Sequence, residues 1–76
     1  MDKNITTNYK NTEVVVIVED DLITTAQVFV GNECINRMEI ATKSNPDGVP
    51  FTEKNYDSVM KAICTNIDKA LAKAVA

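Results

Sequence analysis

Apolar residues recur at steps of three and four between Thr52 and Ala76: Tyr56, Val59, Met60, Ile63, Ile67, Ala70, Leu71, Ala74 and Val75. This spacing predicts one amphipathic helix with a single apolar stripe. Lys54, Asp57, Ser58, Lys61, Thr65, Asp68, Lys69 and Lys73 fall mostly on its other side. The helix start is marked three ways. Pro50 cannot continue a preceding helix, Thr52 is a good N-cap, and Phe51 and Tyr56 occupy the two positions of a hydrophobic staple. Glu53 and Asp57 near the start and Lys69 and Lys73 near the end suit the helix dipole.

Upstream the pattern changes. Val14 to Val18 is an unbroken β-branched run between Glu13 and Glu19, which predicts a strand. Polar alternation is absent from it, so both of its faces call for cover. Glu19-Asp20-Asp21 reads as a turn and Leu22 to Val30 as a second strand. Leu22, Thr24, Ala26, Val28 and Val30 share one face of that strand; Ile23, Thr25, Gln27 and Phe29 share the other. After Gly31-Asn32-Glu33, a third strand runs from Cys34 to Thr42. A three-residue loop sets Ala26 beside Met38 and Thr24 beside Ile40, and collects Gln27 with Arg37 and Thr25 with Glu39 on the opposite face. It separates apolar from charged residues better than a two-residue loop does, and a one-residue slip moves every side chain to the other face. Lys43 to Pro50 has loop composition.

The expected fold class is α+β: a three-stranded antiparallel β-meander followed by one long C-terminal helix packed on one face, β-β-β-α. Residues 1–11, polar and without a period, are expected to form a flexible N-terminal arm, and 12–76 a single domain.

Two surfaces of such a fold are left unfinished. One helix covers one face of the sheet, so the other keeps Ile23, Phe29 and Ile35, and the first strand adds either Val15 and Ile17 or Val14, Val16 and Val18, as the parity of the first turn decides. The helix also outruns its strands, and its stripe continues through Leu71, Ala74 and Val75. Exposed apolar patches of this kind mark interaction sites. A chain of 76 residues is near the lower size limit for a core that folds unaided. Together these point to a homodimer and to a partner interface at Val15, Ile17, Ile23, Phe29, Ile35, Leu71, Ala74 and Val75.

Composition narrows the chemistry. The chain has no histidine, the commonest metal ligand and general base. Cys34 and Cys64 show neither a CxxC motif nor a zinc spacing; both are expected to be reduced, Cys34 on the core face and Cys64 beside the helix stripe. With Gly31 and Gly48 as the only glycines, no phosphate-cradling loop is present, and Ser44 and Ser58 have no base partner at a recognisable spacing. The balance of 8 Lys and Arg against 11 Asp and Glu, net charge −3, disfavours a phosphate-backbone ligand. Met1 to Lys10 lacks the apolar stretch of a signal peptide, and no run approaches a membrane span. No cofactor, no metal, no nucleic acid and no membrane are expected, and the location expected is the cytoplasm.

Val14-Val15-Val16-Ile17-Val18-Glu19-Asp20-Asp21-Leu22-Ile23 is similar to the first strand of response-regulator receiver domains. That resemblance implies Mg²⁺ held by acids at the strand end, Asp20 and Asp21, beside a phosphoacceptor Asp. It stops there. No later apolar strand leads into an Asp, Asp47 stands alone in a loop, and Leu22 to Val30 suits a strand where a receiver has a helix. The expected function is therefore that of a non-enzymatic interaction protein, a homodimeric regulator or inhibitor acting by binding another protein, of the kind phages and mobile elements encode. The alternative is a small-ligand binder with a pocket between protomers lined by Thr24, Thr25 and Gln27.

Overall fold

The computed structural model describes residues 2–41 and 43–75. Five antiparallel strands precede one helix: β1 (Lys3–Tyr9), β2 (Thr12–Glu19), β3 (Leu22–Val30), β4 (Glu33–Glu39), β5 (Val49–Pro50) and α1 (Glu53–Val75). The sheet order is β1-β2-β3-β4, with β5 paired to β3 beyond the end of β4. This is the expected α+β meander, with the three expected strands as β2, β3 and β4.

The stretch read as an arm supplies β1. Ile5, Thr7 and Tyr9 lie opposite Val16, Val14 and Thr12, so β1 turns its few larger side chains toward the helix side. Asn4, Thr6 and Asn8 turn the other way, opposite Ile17, Val15 and Glu13.

Two-residue turns join the strands. Lys10 and Asn11 have φ of 47° and 64°, and Asp20 and Asp21 have 51° and 62°. Positive φ at both central positions is the type I′ geometry, whose twist matches that of a hairpin. Gly31, with φ 62°, opens the turn between β3 and β4, a place where glycine takes a left-handed backbone without steric cost.

Two bulges alter the expected faces. Ile17 lies opposite Thr25 but Val18 lies opposite Ile23, so Thr24 is an extra residue in β3. The bulge swings Ile23 to the helix side, where it is fully buried. Ile23 therefore belongs to the core and not to the open face where it was expected. The second bulge is in β4. Val28 faces Asn36 while Phe29 faces Cys34, which makes Ile35 the extra residue. A two-residue loop plus this bulge gives the register expected of a three-residue loop from there on: Ala26 opposite Met38, Gln27 opposite Arg37, Thr25 opposite Glu39. Next to the turn the expectation fails. Cys34 is exposed rather than in the core, and Ile35 leaves the open face for the helix side.

The core is a single layer between sheet and helix. Val14, Val16 and Val18 from β2, with Ile23, Ala26 and Val28 from β3, meet Ile63 and Ile67 of α1. The helix starts as expected. Thr52 Oγ1 accepts the Asn55 N–H at 3.1 Å, and the Phe51 and Tyr56 rings meet edge to face at 6.2 Å. α1 is tied chiefly to β1 and the turn after it. Thr7 Oγ1 and Tyr56 Oη are 3.2 Å apart, and Tyr9 and Lys10 both reach Asp68. Beyond Ile67 every described side chain of the helix is exposed. No helix among the described residues is long and apolar enough to cross a membrane.

Candidate functional site

Because α1 is anchored over β1 and β2, it leaves β4 largely uncovered. Six of the seven residues of β4 are exposed, Met38 alone being half-buried. Between β4 and the second half of α1 lies a groove of about 260 Å³. Val28, Val30, Ile35 and Met38 form its floor and outer wall; Ile63, Ile67, Ala70 and Leu71 form the wall on the helix. Thr12, Asn36 and Asn66 supply its polar edge, and Asn66 Nδ2 donates to Met38 Sδ across it at 3.6 Å. Among the described residues the large hydrophobic ones that are exposed, Val30 (48%), Ile35 (56%) and Leu71 (43%), all line this one groove.

Local geometry produces that convergence. Val30 is the last residue of β3, beyond the reach of the helix. Ile35 is turned inward by the bulge in β4. Leu71 continues the stripe of Ile63 and Ile67 one turn further, where it stays exposed on the groove's helix wall. The groove was not legible in the sequence, which set Val30 and Ile35 on opposite faces. A bulge residue has no marker in the apolar pattern.

The expected interface is thus divided. Val15, Ile17 and Phe29 remain on the open face and are half-buried, Val15 and Phe29 among Asn4, Thr6, Glu13 and Gln27, and Ile17 between Asn4 and Thr25. Polar neighbours from β1 screen part of what a three-stranded sheet would leave bare. Ile23 is in the core, while Ile35 and Leu71 are in the groove. The side chains of Ala74 and Val75 lie outside the described ones.

Behind the helix wall, the start of β2 is held by a small polar cluster. Tyr9 Oη lies 3.0 Å from each Asp68 carboxylate oxygen, and Lys10 Nζ lies 2.7 Å from one of them. The Lys10 hydrogen bond, followed by the Tyr9 one, lowers the Asp68 carboxyl below its ordinary range. Desolvation and the carboxylate raise the Tyr9 phenol, and the carboxylate hydrogen bond raises Lys10. These groups tie α1 to the end of β1 and the turn after it.

The other polar residues singled out by the sequence are spread over separate surfaces. Thr24 and Thr25 line a shallow hollow with Glu19 and Glu39, whereas Gln27 lines a different one with Asn4 and Thr6. Thr24 Oγ1 donates to Glu19 Oε1 at 3.2 Å. Asp20 and Asp21 sit at the centre of a hairpin turn and lead into β3, a strand in place of the helix that the receiver resemblance implies. Among the described residues no three Cys, Asp or Glu side chains are grouped so as to hold a metal ion. Comparison of the chain with protein-family models, curated proteins and solved structures finds no match.

Proposed function

We propose that the chain is a non-enzymatic interaction protein, a homodimeric regulator or inhibitor that acts by binding another protein, and that the groove between β4 and α1 is the surface it binds with. One observation carries this reading: Val30, Ile35 and Leu71, the large hydrophobic residues exposed among the described ones, converge on a single concave surface. Scattered exposed hydrophobics are ordinary, but a contiguous apolar concavity costs free energy until something fills it. Its few polar groups at the edge suit the anatomy of a protein interface, an apolar centre with a polar rim. The free thiols of Cys34 and Cys64 fit a reducing compartment, and the cytoplasm is the proposed location.

The test is affinity capture from the native host with the wild-type protein beside Ile35→Lys and Leu71→Lys. Both residues are exposed, so neither change disturbs the core. A protein retained by the wild type and lost by both variants is the expected result. Retention by both variants would move the binding surface elsewhere, and native mass spectrometry showing a bound small molecule would replace the reading with that of a ligand carrier.

A further inference from the structure

We infer that β4 is a self-pairing edge: two copies of the chain join antiparallel through Asn36 to Ile40, with the two-fold axis at Met38. The inference rests on the interaction reading above and names the partner at the outer rim of the same groove.

β4 is at the end of the sheet order and has β3 as its neighbour on one side. Its outer main-chain groups are a template for another strand. The stretch after the bulge is regular, from Asn36 opposite Val28 to Glu39 opposite Thr25, and the Ile40 N–H continues the ladder to the Thr24 carbonyl at 3.0 Å. In an antiparallel ladder the bonded residues alternate. Ile40, Met38 and Asn36 therefore direct their main-chain groups toward β3, and Arg37 and Glu39 direct theirs outward.

Charge then selects the register. With the axis at Met38, Arg37 of each copy lies opposite Glu39 of the other, and each such pair exchanges both main-chain hydrogen bonds. Arg37 is the only arginine in the chain. Moving the axis to Arg37 sets the two arginines against each other. Moving it to Asn36 sets Glu33 against Glu39, and moving it further runs the pairing through the bulge at Ile35. A shift that places the axis between residues mixes the two faces of the sheet, which pairing does not allow. The Met38 register also brings the two half-buried Met38 side chains together on the helix side. There the two grooves face one another across the axis, giving one apolar valley flanked by both helices.

Charge exchange tests this directly. Arg37 and Glu39 are exposed and lie opposite the neutral Gln27 and Thr25, so R37E and E39R should keep the wild-type circular dichroism and urea midpoint. In sedimentation equilibrium each single variant should dimerise at least about tenfold more weakly, since like charges then face each other. A one-to-one mixture of the two variants should form a heterodimer, and R37E/E39R should recover wild-type association. Single variants that dimerise as tightly as the wild type would overturn the inference and place the self-contact on another surface. A monomeric wild type would also overturn it; if capture of a host protein then depended on Arg37 and Glu39, the edge would belong to a strand of that protein. Host capture that depends on Ile35 and Leu71 leaves the groove's role in binding another protein standing whatever the charge exchanges give.

Discussion

The Tyr9 phenol donates to Asp68 at 3.0 Å from each carboxylate oxygen, and so joins the end of β1 to the helix residue that follows the core contact Ile67. Lys10 completes the clamp from the following turn. The signs of its pH dependence follow from the shifts. Asp68 is lowered from 3.8, so its contribution is complete above that value and is lost as pH falls through the lower folded one. Lys10 is raised from 10.5, so its contribution is complete below that value and lost as pH rises through the higher one. Asp68→Asn should lower the melting temperature modestly near neutral pH, and the difference from the wild type should vanish in acid. Melts over a pH series check this, and a gap that persists when Asp68 is protonated would mean that its charge is not what matters.

Ile63 is 1% exposed at the centre of the core, whereas Lys61 is on the solvent side of the same helix. Ile63→Ala should cost about 2–5 kcal/mol, a large share of what a domain of this size holds. Lys61→Ala should stay within about 0.5 kcal/mol of the wild type. Urea denaturation of both variants measures the contrast; matched midpoints would contradict the packing of α1.

Gly48 and Gly31 both have positive φ but differ in their surroundings. A Cβ on Gly48 would lie 2.7 Å from the Ile23 carbonyl oxygen at φ 124°, whereas one on Gly31 would meet nothing within 4 Å. Gly48→Ala should cost about 1–3 kcal/mol or more through strain and displacement of β5 from β3. Gly31→Ala bears the backbone penalty alone and should cost less. Chemical denaturation of the pair gives the ordering.

The thiols should separate cleanly. Cys34 is exposed and its Sγ lies 3.3 Å from the Asn36 carbonyl oxygen, while Cys64 is half-buried on α1. Ellman's reagent should label Cys34 rapidly and Cys64 slowly, and Cys34→Ser should remove the fast phase. Two equal rates would place the residues in like environments.

Much of the fold could be read from the chain because local and tertiary signals agree in it. Phe51, Thr52 and Tyr56 mark the start of the helix, and Ile63 and Ile67 give its buried face. The valine run of β2 could be nothing but a strand. β1 escaped notice because Ile5, Thr7 and Tyr9 alternate with Asn and Thr, so that a weak period of two is hidden in a polar stretch; the Lys10-Asn11 turn carries no glycine to announce the hairpin. The two bulges were invisible for a different reason. At Thr24 and Ile35 one extra residue reverses the parity of the strand, and a pattern of alternation read straight through assigns Ile23, Cys34 and Ile35 to the wrong sides. The groove depends on that reversal, so it emerged only with the pairing of the strands.

Among the described residues α1 supplies the main cover of the valine face of the sheet, and it follows all the described strands. During synthesis, at about 5–20 residues per second, the helix is made about 1–5 s after the last strand. For that interval Val14, Val16 and Val18 lack Ile63 and Ile67 to pack on, and the β4 edge is present in the same sheet. The nascent chain is thus at its most aggregation-prone just before Ile63 and Ile67 arrive, the moment when a chaperone that shields apolar strands has the most to contribute.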